Sequence, residues 1–334
     1  LFAQDVSLLG SDLETVLRGL REAIVPGVQL SGVQSLQGGA VGDTPFTAGA
    51  GLGAVLAPDA IGFLLSDSAG IYDLVVPSAL LGPQLGIEDG PDDGDDIAAE
   101  TDDFLNRVGI NPLALPVLRG HAGFRLPGRV QVLVSGFLWP AGLTNAITAI
   151  PAVAAAAEGA AFSLSNVTGR AILPLTPAER PWAFSVGAAY ARTAFTFAFP
   201  LPETVELTGF GTLTFTDSAL ELAATVNSLG AEFRMARTQG VLRPFAAFTP
   251  VYQFGNFTGG ANSTFDLDIT LDGGTNIEFP DEDEPNVESS ITDFTIAFAT
   301  GIDIRFGRFG LNLTGSIDPQ SAYPGFSLST IFAL

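Results

Sequence analysis

In residues 291–306, ITDFTIAFATGIDIRF, large apolar side chains alternate with polar or small ones from Phe294 to Phe306, apart from Thr300. The apolar members share one parity: Phe294, Ile296, Phe298, Ile302, Ile304 and Phe306. The other parity holds Thr295, Ala297, Ala299, Gly301, Asp303 and Arg305. Because successive side chains of a β-strand point to opposite faces, this period of two predicts a strand with one apolar face.

The same alternation recurs on both sides of this stretch, for example in residues 205–215, 264–272 and 311–317. The pattern predicts twelve strands, at about 45–65, 115–126, 129–138, 159–173, 181–199, 203–215, 219–237, 241–257, 262–271, 290–306, 309–317 and 323–334. Fourteen is the alternative, if Val28–Gln37 and Ile71–Val76 are also strands. An even number suits a single-chain bacterial membrane barrel.

The chain has no apolar stretch of the length that a membrane-spanning helix needs. The most apolar candidate, 141–157, is interrupted by Pro151 and several polar residues. In lipid, only a helix or a closed sheet satisfies every backbone polar group. The sequence therefore predicts an all-β fold, a transmembrane antiparallel up-and-down β-barrel.

The connections between the predicted strands differ systematically in length. In outer-membrane barrels the periplasmic turns are short and the external loops are long. If Leu334 is periplasmic and the strands alternate in direction, every long connection falls on one side, including the acidic runs 89–96 and 281–284. We therefore expect a barrel over 41–334 with long acidic external loops at 67–114 and 272–289.

Residues 1–40 form a separate N-terminal segment with a helical period. Ser11 and Glu14 make a capping box, and Pro26-Gly27 is a stop signal, so a short helix is expected over 8–24. Its polar face lacks the strong basic character of helices that lie on anionic lipid. The helix is therefore predicted to plug the barrel with its apolar face, which consists of Leu9, Leu13, Val16, Leu20 and Ile24.

Several charged residues lie in otherwise apolar or small-residue strands. An arginine facing lipid costs about 2–4 kcal/mol near the bilayer midplane, so these residues are predicted to face the lumen or the interfaces. Two-residue spacing suggests that Arg305 pairs with Asp303 and Arg234 with Glu232, as structural ion pairs rather than a selectivity filter. The lumen candidates are Arg129, Arg170, Glu232, Arg234, Asp303 and Arg305.

Composition narrows the possible functions. A net charge of −22 argues against nucleic acid as a partner, because phosphate binding needs a basic surface. The chain has no cysteine, and its one histidine, His121, has no serine near it in sequence, so no enzyme and no cofactor are predicted. An acidic cluster offers oxygen ligands for calcium, although a solvated loop is the favoured interpretation: Asp89, Asp92, Asp93, Asp95 and Asp96.

The last strand alternates from Phe326 to Leu334, which resembles the closing strand of bacterial outer-membrane barrels, although their usual terminal residue is Phe. The helix and the small-residue interior resemble, more loosely, the FadL-like transporters of hydrophobic solutes. The small, uncharged residues at lumen positions such as Ala297, Ala299 and Gly301, together with the twelve-strand count, predict a narrow outer-membrane channel for a small apolar or weakly polar solute, with membrane lipid as its other partner. The alternatives are an occluded structural or surface-interaction barrel and a secreted soluble β-sandwich. The oligomeric state stays open.

Overall fold

The architecture is taken from a computed structural model of the chain. It describes residues 2–37, 45–57, 113–139, 161–176, 180–201, 204–207, 211–215, 218–261, 267–271, 276–278, 286–317 and 324–333. The strands are β1 (Phe46–Ala57), β2 (Leu113–Arg125), β3 (Gln131–Trp139), β4 (Ala161–Pro174), β5 (Trp182–Pro200), β6 (Thr204–Leu207), β7 (Gly211–Phe215), β8 (Ala219–Arg237), β9 (Leu242–Ala261), β10 (Leu267–Leu271), β11 (Asn276–Glu278), β12 (Asn286–Phe306), β13 (Phe309–Ile317) and β14 (Pro324–Ala333).

Within the described ranges, ten strands form a closed antiparallel barrel in the order β1-β2-β3-β4-β5-β8-β9-β12-β13-β14. The barrel closes where β14 pairs with β1, with Ala48 opposite Phe332 and Leu52 opposite Leu328. Closure leaves no free sheet edge, as a structure that spans lipid requires. The predicted β-sandwich is therefore wrong, because a sandwich would leave β1 and β14 in separate or open sheets.

The predicted count of twelve barrel strands is wrong, and so is the alternative of fourteen. Strands predicted at 203–215 and 262–271 leave the barrel and pair with each other in a second sheet, in the order β11-β10-β7-β6. Its strands have three to five residues, too few for the roughly 9–11 that cross a bilayer. The proposed extra strand at Val28–Gln37 is helical, and 71–76 lies outside the described residues.

The two ends of the barrel have different connections. Residues 126–130, 175–181, 238–241 and 307–308 join neighbouring barrel strands at one end, which we call the turn end. Gly240 (φ 63°) and Gly307 (φ 60°) adopt the left-handed conformation that tight hairpins require. The opposite end, the loop end, carries the long connections and the second sheet. The predicted alternation of strands puts 239–240 on the side of the long connections, and this is wrong, because one predicted strand between it and the C-terminus, 262–271, leaves the barrel.

The outer face of the barrel is apolar. On β12, the exposed fractions are 54% for Phe294 and 56% for Phe306, against 1% for Thr295 and 2% for Asp303. The predicted facing of this strand is confirmed. Exposed aromatic and aliphatic side chains continue around the barrel, including Phe124, Val134, Phe184, Phe233, Phe248, Leu313 and Phe332. An apolar exterior of this kind suits contact with acyl chains.

The predicted N-terminal helix is present, and it is longer than expected. Helix α1 runs from Phe2 to Gln37 and contains Pro26, so the predicted end at Pro26-Gly27 is wrong. Val25 and Val28 are buried on either side of the proline. The burial of side chains on both sides of Pro26 offsets the one backbone hydrogen bond that proline removes. In the described part of the chain, no helix combines the length and apolarity needed to cross a bilayer.

Candidate functional site

Helix α1 lies inside the barrel and is the main feature of the lumen. It contacts β4, β5, β8, β9, β12 and β1, on the wall face opposite the exposed apolar residues. Leu17 lies near Gly259, towards the loop end, whereas Leu36 lies near Gly230, towards the turn end. The helix therefore runs along the barrel axis, with its N-terminal half towards the loop end and its C-terminus towards the turns.

The C-terminal half of α1 fits a wall of small side chains. Val33 and Leu36 form one buried cluster with Ala189, Ala191, Val251 and Ala297 from β5, β9 and β12. A Cβ atom built on Gly230 would lie 2.9 Å from Leu36 Cδ1. Glycine and alanine at these wall positions therefore make room for the helix, because larger side chains would overpack the lumen.

Glycine is also required on the helix itself. A Cβ atom at Gly32 would lie 2.8 Å from Ser228 Oγ and 3.3 Å from Thr193 Oγ1. Gln253 is 1% exposed, and its Nε2 donates hydrogen bonds to the Gln29 carbonyl at 2.9 Å and to Ser228 Oγ at 3.1 Å. This side chain therefore holds the helix backbone to the wall at its point of closest approach.

We expect Gly32→Val to destabilise the folded protein by about 1–3 kcal/mol, because the added carbons meet Ser228 and Thr193 in a packed lumen. Ser228→Gly in the same chain removes the nearest atom and should restore most of the loss. Urea unfolding in lipid vesicles of the wild type, both single variants and the double variant measures the coupling. Additive losses would contradict this packing of residue 32 against Ser228.

Two ion pairs lie in the turn-end half of the lumen wall. Arg170 Nη2 pairs with Glu232 Oε2, and the two side chains are 1% and 4% exposed. Arg234 Nη2 pairs with Asp303 Oδ2 at 3.1 Å, and Asp303 Oδ1 also accepts a hydrogen bond of 2.5 Å from Asn312 Nδ2. The Arg234 guanidinium also lies 3.7 Å from the centre of the Phe245 ring. Each buried carboxylate thus faces a guanidinium, as buried charges require.

The structure brings four of the six lumen candidates together, but in other pairs than predicted. Glu232 pairs with Arg170 instead of Arg234, and Asp303 pairs with Arg234 instead of Arg305. Residues two apart on a strand point the same way, but in both observed pairs the long side chains reach past one strand, from β4 to β8 and from β8 to β12. Arg305 is half-buried near the end of β12. Arg129 is exposed in the turn between β2 and β3, at an end of the barrel, which is the interface position that the sequence analysis also allowed.

The plug candidates fall partly within the described side chains. Leu13 and Val16 are buried at 0% and 3% exposure. The side chains of Leu9, Leu20 and Ile24 lie outside the described residues. Sequence reasoning missed Leu17, Val25, Val28, Val33 and Leu36, all buried in the lumen. The barrel surrounds the helix, so more than one apolar stripe is buried, and a prediction of a single face undercounts the contacts.

A band of uncharged polar side chains was also missed. Asn166 Nδ2 donates to Thr193 Oγ1 at 2.9 Å, and Thr168 Oγ1 donates to Asn166 Oδ1 at 2.9 Å. All three residues are at most 1% exposed. The sequence pattern that indicates them is the alternation along β4 and β5, in which polar residues on the lumen face alternate with lipid-facing ones. The band adjoins Ser228 and Gln253 at the contact with α1.

His121 lies half-buried on the lumen face of β2. Its ring occupies the space over Gly49 on β1, where a Cβ atom would lie 2.6 Å from His121 Nε2 and 1.9 Å from the Thr330 carbonyl oxygen. This close approach explains the glycine at position 49. Nε2 has no hydrogen-bond partner among the described residues. The geometry shows no nucleophile paired with this histidine in that part of the chain.

The calcium hypothesis concerns Asp89, Asp92, Asp93, Asp95 and Asp96, which lie outside the described residues, as does the acidic run 281–284. Among the residues that the structure does describe, no three side chains of the His, Cys, Asp or Glu type lie together as metal ligands would. The hypothesis of a calcium site in the acidic loop therefore stays a prediction.

No protein-family model matches the chain, and no curated protein matches it in sequence. Solved structures that it resembles in fold include the outer-membrane protease OmpT of Escherichia coli, at 7% identity, a TM-score of 0.41 and coverage of 87% of this chain and 96% of OmpT. The translocator domain of the autotransporter NalP from Neisseria meningitidis has 7% identity, a TM-score of 0.32 and coverage of 95% and 99%. A Pseudomonas aeruginosa FadL homologue has 9% identity, a TM-score of 0.28 and coverage of 87% and 90%.

These neighbours correct one sequence-based prediction. The sequence analysis excluded an enzyme. That exclusion is wrong, because one of the barrels in this group is a protease. The FadL-like resemblance is likewise one of several weak ones. What this chain shares with all three neighbours is the outer-membrane β-barrel. Its closed sheet and apolar outer face place the chain in the bacterial outer membrane, as the sequence predicts.

Proposed function

We propose that this chain is a narrow outer-membrane channel that its own N-terminal helix holds closed, and that it passes a small, weakly polar solute when the helix is displaced. The observation that carries the proposal is the position of α1. The helix lies along the lumen from the region of Gly259 to that of Gly230 and contacts six strands of the wall. A solute crossing the barrel must therefore pass the helix.

The closed state should dominate at rest. Seven apolar side chains of α1 are buried: Leu13, Val16, Leu17, Val25, Val28, Val33 and Leu36. At about 1.5–3 kcal/mol each, their burial contributes on the order of 10–20 kcal/mol, as an upper bound. Opening therefore requires a trigger, such as a ligand or partner that binds the open state more tightly than the closed one.

The chemistry of the wall suggests the class of solute. Where α1 contacts it most closely, the wall presents Ala189 and Ala191 beside Thr193, Ser228 and Gln253. Such a wall combines small apolar surface with uncharged hydrogen-bonding groups. Ten strands also enclose a narrower lumen than the 16–18 strands of open porins. Both features favour a small, weakly polar solute over a large or highly charged one.

A reversible disulfide tests the proposal. The chain has no cysteine, and Gly32 and Ser228 approach closely enough for cysteines at these positions to be joined. We expect Gly32→Cys/Ser228→Cys to show no channel openings in planar bilayers when oxidised, and to recover rare openings when a reductant is added. The two single variants, treated with the same oxidant and reductant, control for effects of the substitutions.

Openings that occur equally in the oxidised and reduced double variant would contradict gating by helix displacement. The second candidate function is an occluded barrel that binds a surface partner at its loop end. The observation in its favour is the second sheet, which β6, β7, β10 and β11 build from two connections at that end. This candidate gains support if the barrel stays impermeable even after the helix has been removed.

A further inference from the structure

The four short turns of the barrel share one feature, which is an exposed arginine. Arg125 ends β2, Arg129 lies in the turn between β2 and β3, and Arg180 precedes β5. Arg237 ends β8, and Arg308 lies in the turn between β12 and β13. We call these five residues the rim arginines.

The four turns carry a charge opposite to that of the chain. The segments 125–130, 174–182, 237–242 and 306–309 contain the five rim arginines and one acidic residue, Glu179. Their formal charge is therefore 5 − 1 = +4, whereas the whole chain carries −22. A positive field at this end attracts anions. Acidic residues that lie more than about 10 Å away do not cancel it, because physiological salt screens exposed charges over that distance.

The rim arginines also lie at a defined level, next to the apolar exterior. The residues beside them are exposed and apolar: Leu126, Leu175, Trp182, Val241 and Phe306. The Arg237 guanidinium lies 5.4 Å from the centre of the Trp182 ring. Tryptophan beside a cation at the end of an apolar belt is typical of the boundary between acyl chains and headgroups. The rim arginines are therefore placed at headgroup depth.

The turns are distributed around the barrel. They join β2 to β3, β4 to β5, β8 to β9 and β12 to β13, so successive turns are spaced two strands apart, and β14 and β1 complete the circle. A protein partner would contact one side of such a ring, whereas a lipid leaflet surrounds all of it. Arginine binds phosphate through two parallel N–H donors, which makes it well suited to a phospholipid headgroup.

We propose that the rim arginines bind the phosphate headgroups of anionic phospholipids in the leaflet that surrounds the turn end. This binding holds the barrel at a fixed depth and orientation, and it is independent of whether the lumen conducts. Each arginine near an anionic surface raises the preference for anionic over neutral lipid about fivefold. Since short turns face the periplasm, the leaflet concerned is the periplasmic one.

The protein carries its own reporter for this test. Trp182 lies at the rim, and Trp139→Phe leaves it as the single tryptophan. The variant is reconstituted in phosphatidylcholine vesicles containing brominated phosphatidylglycerol or, in parallel, brominated phosphatidylcholine, and the quenching of Trp182 fluorescence is compared. We expect several-fold preferential quenching by the anionic lipid. The ratio between the two lipids cancels any direct effect of a substitution on the tryptophan.

In this background, Arg237→Gln should reduce the preference about fivefold, and Arg237→Lys should retain most of it. Arg192→Gln is the matched control: Arg192 is exposed on β5, the strand of Trp182, ten residues nearer the loop end. Its substitution should leave the preference unchanged. Excess inorganic phosphate is then added to the buffer at matched ionic strength. If the rim arginines bind lipid, the preferential quenching by the anionic lipid persists.

Equal quenching by the two brominated lipids would overturn the proposal, as would a preference that survives Arg237→Gln unchanged. Loss of the preference on adding phosphate, with ionic strength held constant, would assign the site to a free anion and would also overturn it. Heat-modifiable gel mobility checks that each variant is a folded barrel. Arg237→Lys keeps the charge, so its behaviour separates loss of binding from loss of folding.

Discussion

Deletion of residues 1–37 should convert the closed barrel into an open pore whose conductance exceeds that of the full-length protein by at least about tenfold, because it removes the whole helix from a lumen that the wall alone does not fill. Deletion of residues 1–26 should have a much smaller effect. It leaves Val28, Val33 and Leu36, which pack against the small-residue wall near the turn end. Single-channel recordings in planar bilayers measure both deletions.

The comparison depends on a folded barrel in each case, which heat-modifiable gel mobility and resistance of the strands to protease both report. The two deletions are matched, since each removes the same N-terminal half of α1 and only one removes the C-terminal half. A folded 1–37 deletion with the permeability of the full-length protein would contradict the channel and favour the occluded structural barrel. Equal opening by both deletions would contradict closure by the C-terminal half of the helix.

Glu232→Gln should lower the free energy of unfolding by about 3–5 kcal/mol, because it leaves the Arg170 guanidinium buried without its carboxylate. Both side chains are almost fully buried on the lumen wall, so water does not replace the lost partner. The double variant Arg170→Met/Glu232→Leu should be close to the wild type, since an apolar pair needs no counter-charge. Urea unfolding in lipid vesicles measures all three proteins.

The exposed ion pair of Glu14 and Arg18 on α1 is the control for this experiment. Its side chains are 37% and 63% exposed, so Glu14→Gln should change the free energy of unfolding by less than about 1 kcal/mol. If Glu232→Gln were as mild as this exposed substitution, the buried pair would not stabilise the lumen wall. If the double variant were as unstable as Glu232→Gln, the loss would come from packing rather than from an unpaired charge.

The faces of the barrel strands were readable from local pattern. On β12 the exposed Phe294, Phe298 and Phe306 and the buried Thr295 and Asp303 have the parities that the sequence predicts. This works because a strand between lipid and lumen has two chemically different environments, and its side chains alternate between them. The same alternation occurs in β7 and β10, which lie in the second sheet. Alternation therefore identifies a strand without identifying its partners.

The extent of α1 illustrates a different limit. Pro26-Gly27 is a strong local stop signal, because proline removes a backbone donor and disfavours the preceding turn. Inside the barrel, that cost is offset by burial of Val25 and Val28 on either side. The helix therefore continues to Gln37 for a reason that is absent from its own sequence. Apart from β1, the lumen wall that stabilises it comes from β4, β5, β8, β9 and β12, which begin 124 or more residues after the end of the helix (161 − 37 = 124).

The sequence by itself determined that the chain is built of strands with one apolar face and has a helix before the first of them, because these features follow from periods of two and 3.6 within short segments. Only the tertiary structure decided that the barrel has ten strands, that Arg170 pairs with Glu232, and that Gly32 meets Ser228. The partners in the two side-chain contacts are 62 and 196 residues apart in sequence (232 − 170 and 228 − 32), and strand pairing and side-chain reach, rather than local pattern, set which of them meet.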